Sequence, residues 1–99
     1  MNNSRDFVKN VTDSLGGVTV VLEYVQEIRT RGFDAQLPLK KTYKGVNTIK
    51  VTNENNKLEV VFYKIIPKKY IMQKVATVEI GSLADLKQTI KTQIGLEFK

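Results

Sequence analysis

The sequence predicts an α+β fold: an N-terminal helix or helix pair, a three- to four-stranded antiparallel β-meander, and a C-terminal helix packed on one sheet face. Three observations lead there. Apolar residues recur at helical spacing up to Ile28, they alternate along Val46–Ile80, and helical spacing returns after Gly81-Ser82. The chain is 99 residues long, which suits one α+β domain over 1–99 with a modest core.

The first helix follows from Phe7, Val8, Val11 and Leu15, with Ser4 as a candidate N-cap and Asp6 in the first turn, where negative charge complements the helix dipole. Gly16-Gly17 breaks it. Val18, Val21, Leu22, Val25 and Ile28 then share a helix face. Arg29 and Arg31 suit a last turn, Gly32 a left-handed C′ position, and Phe33 the contact beyond it. A strand competes over the same stretch, because Val18, Val20, Leu22 and Tyr24 also alternate and the run is β-branched. The C-terminal signals favour the helix.

Strands follow. Gln36–Tyr43 is expected on an edge, since Pro38 cannot donate to a central ladder. Gly45 turns the chain into Val46–Thr52, with Ile49 and Val51 on one face. Asn53–Asn56 is a strong turn, because asparagine tolerates left-handed backbone. Lys57–Ile66 is the clearest strand. Leu58, Val60 and Phe62 occupy one face, Val61, Tyr63 and Ile65 the other, which indicates a central place and a second face in need of cover. Pro67-Lys68-Lys69 turns into Tyr70–Ile80. Ser82 is a candidate cap for a last helix carrying Leu83, Leu86, Ile90 and Ile94 on one side, with Gly95 near its end.

Histidine and cysteine are both absent. Imidazole acid–base chemistry, thiolate nucleophiles, zinc sites and disulfides are therefore excluded. No phosphate-cradling glycine loop occurs, the serines have no base to activate them, and the acidic residues are scattered rather than clustered. Glu23 with Glu27, and Glu54 with Glu59, read as solvated helix and turn charges. No enzymatic activity, cofactor or metal is expected. The first twenty residues contain no apolar leader core and no run is long enough to span a bilayer, so a cytoplasmic location without membrane contact is expected.

Charge is the informative feature. Net charge is +6, yet residues 35–75 alone carry nine lysines against Glu54 and Glu59. Such a block attracts polyanions. The candidate nucleic-acid-binding residues are Lys40, Lys41, Tyr43, Lys44, Tyr63, Lys64, Lys68, Lys69, Tyr70 and Lys74. Lysines supply phosphate contacts, and tyrosines offer faces on which bases stack. Arginine is absent from the segment, so weak sequence preference is expected, with single-stranded nucleic acid among the candidate partners.

The alternative is a small protein-binding adaptor, inhibitor or assembly component of the phage or mobile-element type. It would dock on an acidic protein through a sheet face or edge, or pair as a homodimer over the second apolar face. In order of elements alone the chain is similar to double-stranded-RNA-binding domains. Ser82–Lys87 nevertheless lacks the lysine-rich start to the last helix that this family carries, so no residue role transfers.

Overall fold

Two short helices open the fold, divided where Gly16 and Gly17 both take positive φ, 109° and 103°. The computed structural model describes residues 4–31, 34–55 and 57–99, without the side chains of residues 4 and 5. Helix α1 spans Ser4–Ser14 and α2 spans Val18–Tyr24. The cap expected of the Ser4 side chain lies outside the described residues. Strands β1 (Arg29–Arg31), β2 (Asp34–Tyr43), β3 (Val46–Glu54), β4 (Lys57–Ile66) and β5 (Ile71–Ile80) form one antiparallel sheet in chain order. A 3-10 turn at Leu83–Asp85 leads into α3 (Leu86–Ile94).

The sheet has five strands, not the three or four expected, and the difference arises between residues 25 and 31. Helix α2 ends at Tyr24. Val25 turns extended, with φ −119° and ψ 137°, and bridges Leu39. Arg29 and Arg31, expected in a helical last turn, instead pair with Gln36 and Asp34. Two physical reasons combine. The β-branched start of α2 gains little from continuing as helix, and an extended chain satisfies the backbone groups along one edge of β2. Leu22 and Val18, expected on a buried face, are exposed, whereas Val21 and Val25 are buried. The capping roles expected of Gly32 and Phe33 lie outside the described residues, as does Asn56.

Pro38 falls within β2, which has neighbours on both sides. It stands beyond the β1 ladder, which ends at Gln36, and just before the β2–β3 pairing becomes irregular between Pro38 and Tyr43. Locally the proline sits where few ladder donors are required.

Two rows cross the sheet in register and form its apolar floor: Leu37, Ile49, Phe62 and Ala76, then Ala35, Val51, Val60 and Val78. Val11 of α1, Leu15 just after it, Val21 of α2, and Leu86, Ile90 and Ile94 of α3 belong to the same buried cluster. Gly95 takes φ 77° and ends α3, its N–H donating to the Lys91 carbonyl at 2.9 Å. The tail then returns to the core. Leu96 and Phe98 are buried, and Phe98 meets Tyr24 edge to face at 5.4 Å. Between them Glu97 points outward to Lys91 at 3.0 Å and Lys99 at 3.1 Å. Ser82 makes no side-chain capping bond, contrary to expectation.

Candidate nucleic-acid interface

In an antiparallel meander alternate turns lie at the same end of the sheet. The β2–β3 and β4–β5 turns therefore share one end, and they hold the candidate lysines. Lys40, Lys41 and Lys44 lie on the first hairpin tip; Lys64, Lys68, Lys69 and Lys74 lie on the second. All seven are exposed. Among the described residues none of them forms an ion pair.

Local chemistry shapes both tips. Lys44 and Gly45 carry φ of 51° and 83° between the paired Tyr43 and Val46, the positive-φ geometry of a two-residue hairpin turn. In the second tip Pro67–Lys69 forms a 3-10 turn. Tyr70 then adopts left-handed backbone, with its N–H donating to the Pro67 carbonyl at 3.2 Å.

The β4–β5 hairpin reaches past the sheet as a two-stranded arm. The β3–β4 ladder stops at Thr48 and Tyr63, whereas β4–β5 pairing continues to Ile66 and Ile71. Asn47 closes the gap with its side chain. Its Nδ2 donates to the Ile65 carbonyl at 2.8 Å, and its Oδ1 accepts from the Ile65 N–H at 2.9 Å. The amide thus imitates a backbone peptide and binds both polar groups of one residue. At the same level Val75 is an extra residue on β5, because Phe62 faces Ala76 while Tyr63 faces Lys74. That bulge increases the local twist and re-aims the side chains beyond it.

The three candidate tyrosines have different surroundings. Tyr70 is 96% exposed, so both faces of its ring are open. Tyr63 is only 7% exposed and has the Lys50 ammonium 5.4 Å above its ring. Tyr43 is half-buried and packs against the core cluster. Stacking on Tyr63 or Tyr43 would require displacing their neighbours, so the expectation of three platforms reduces to one. The second face of β4 also differs from expectation. Val61 and Tyr63 stand outside the core cluster yet are already buried, so a second subunit is not required to cover them.

The lysines converge on an end of the sheet rather than on a face. Lys74 lies on the face of Tyr63, and Lys64 on the other side of the arm, opposite Gln73. The far end has the reverse charge. Asp34, Thr52, Glu59 and Glu79 continue one cross-strand row there from Arg31, on the face opposite the core, with three carboxylates against one guanidinium. A cavity of about 220 Å³ lies near the lysine end, bounded by Gln26 and Arg29, Pro38 and Thr48, and Ile65 and Pro67. Its one cation, Arg29, is bonded to Glu27.

Sequence reasoning found the two lysine tips and missed what supports them. Asn47 carried a usable signal, since asparagine is disfavoured in strand interiors and invites a specific reason. The Val75 bulge had no comparable mark. No protein-family model, curated protein or solved structure matches the chain. Among the described residues no helix is long and apolar enough to cross a membrane.

Proposed function

We propose that the lysine-bearing end of the sheet binds nucleic acid through phosphate contacts, with little dependence on base sequence and no catalytic step. The observation that carries this reading is the gathering of seven exposed lysines without ion-pair partners on two neighbouring hairpin tips. A two-stranded ribbon fits a nucleic-acid groove. Lys64 and Lys74, on opposite sides of the arm, would face the phosphates flanking it, with Lys68 and Lys69 at its tip. Tyr70 adds one stacking face. Lysine is a hydrated point charge on a flexible stem, which suits phosphate better than bidentate base reading.

The test is fluorescence anisotropy with labelled duplex and single-stranded DNA and RNA, between about 50 and 200 mM salt. Each phosphate contact contributes a log–log slope of about −0.9 on duplex DNA, so seven contacts give about −6. The combined Lys64→Gln, Lys68→Gln, Lys69→Gln and Lys74→Gln variant should flatten that slope by about 3 to 4. Absence of binding to every probe at the lowest salt would sink the reading. That outcome favours the second one, a protein-binding adaptor, which draws support from the exposed Ile71, Met72 and Val75 along an outer strand.

A further inference from the structure

The two outer strands of the sheet are protected very differently. β1 is three residues long, fully exposed, and carries Arg29 and Arg31. Short, charged strands of this kind resist pairing with other chains. β5 is ten residues long, has no proline, and presents Val75, Ala76, Thr77 and Val78 between its two charges, Lys74 and Glu79. We propose that two copies of the chain pair antiparallel along β5, edge to edge, so that their sheets join into one of ten strands.

Face matching selects the register. A two-fold axis perpendicular to the sheet keeps the faces of both copies aligned, so opposed residues must come from the same face. Lys74, Thr77 and Glu79 pair with Tyr63, Val61 and Glu59, all on the face away from the core; Ala76, Val78 and Ile80 pair with Phe62, Val60 and Leu58 on the core face. With Thr77 opposite its own copy, Ala76 meets Val78. Val75 is the extra residue of the bulge, so the next match is Lys74 against Glu79, followed by Gln73 against Ile80. Symmetry makes the Lys74–Glu79 pair twice.

Two further features suit the same arrangement. Within one copy Glu79 stands directly opposite Glu59, a like-charge pair that destabilises the sheet. The ammonium of the second copy's Lys74 would offset it. A groove of about 420 Å³ also runs between Val78–Gly81, at and just past the end of β5, and Gln88, Thr89 and Thr92 of α3. The register sets the bulged Val75 of the other copy, 48% exposed in the single chain, beside that groove. Each α3 borders its own residues 78–81 across that groove and would face residues 73–76 of the other copy.

The experiment measures mass by sedimentation equilibrium on the whole chain, without nucleic acid. Wild type should approach twice the chain mass of 11.3 kDa as concentration rises. Lys74→Glu and Glu79→Lys should each weaken self-association by about tenfold or more, because both ion pairs become like-charge pairs. An equimolar mixture of the two variants restores both attractions and should recover the dimer. A monomeric wild type at its solubility limit would overturn the proposal. So would a dimer insensitive to either change, or one that mixing fails to restore. Both side chains are exposed; should a reversal impair folding, Lys74→Gln and Glu79→Gln give a smaller weakening in the same direction. Failure here leaves the nucleic-acid reading intact, since salt-dependent binding is measured separately. In the dimer Lys74 is engaged by Glu79 of the other copy, and the phosphate contacts fall to the other six tip lysines of each chain.

Discussion

The inner and outer halves of the β4–β5 hairpin share two continuous strands and have opposite surroundings. In the inner half, Val60 and Phe62 face Val78 and Ala76 and belong to two apolar rows that cross the sheet. In the outer half, Ile65 and Ile66 face Met72 and Ile71, with Lys64, Lys68 and Lys69 beside them and Tyr70 at the tip. The boundary is about one residue wide, set by the Asn47 amide on one side and the Val75 bulge on the other. Two continuous strands can therefore anchor a ribbon whose side chains take no part in the core, with the ladder interrupted by the bulge at the boundary. Under the proposed function, stability belongs to the inner half and nucleic-acid binding to the outer half, so substitutions should separate the two.

The largest effect is expected at Phe62, which is fully buried among the cross-sheet rows. Phe62→Ala should cost about 3–5 kcal/mol in urea denaturation, a large share of the roughly 5–15 kcal/mol typical of a whole domain. Nucleic-acid affinity per folded molecule should not change. A parallel loss of affinity in the folded fraction would break the separation of the halves.

Asn47 stands on the boundary and should affect both sides unequally. Asn47→Ala removes two hydrogen bonds to Ile65 and leaves its N–H and carbonyl without those partners, at a cost of about 1–3 kcal/mol. Amide exchange should accelerate most at Ile65 and Ile66 and least at Val60. Uniform acceleration along β4 would mean that arm and body open as one cooperative unit.

Most of this body was legible in the sequence. Lys57–Ile66 was readable as a central strand with its bounds and its two apolar faces, of which that of Leu58, Val60 and Phe62 meets the core. Periodicity reports burial, so it works where side chains meet a core. It fails where backbone alone decides. Arg29–Arg31 has no apolar residue, and only the unfilled edge of β2 makes it a strand. The tail Leu96–Phe98 is too short to show a period, yet both apolar members are buried. At the candidate site the lysine tips were visible as composition. The burial of Tyr63 was not, because it depends on the neighbouring strands, including Lys50 across the ladder.

Tyr70 gives a smaller effect on stability, with opposite signs in the two measurements. Its φ of 51° is a left-handed conformation that costs a non-glycine residue about 1–2 kcal/mol. Tyr70→Gly removes that strain, although glycine's greater freedom in the unfolded chain offsets about 0.4–1 kcal/mol of the gain. A net stabilisation between about 0 and 1.6 kcal/mol is expected in thermal melts. Among the described residues Tyr70 carries the one exposed aromatic ring, so affinity for single-stranded probes should fall by about 1–3 kcal/mol where a base stacks on it. Unchanged affinity would confine the recognition surface to lysines.

The smallest effect concerns pH and lies entirely in the body. Hydrogen bonds from Lys91 and Lys99, reinforced by their charges, hold the Glu97 carboxyl below its ordinary value of 4.5. A carboxyl whose pKa is depressed in the folded state adds stability above the ordinary value and loses it as pH falls through the folded one. Acidification from pH 6 should therefore leave stability flat until just above 4.5, then lower it, releasing the constraint on Leu96 and Phe98. Glu97→Gln should remove that part of the decline and leave the curve unchanged near neutrality apart from a small uniform offset. Glu97 lies outside the arm, so the salt slope of nucleic-acid binding should hold over the same range in the folded fraction. A slope that changes together with the Glu97 titration would couple the tail to the arm and contradict the division of the hairpin into two halves.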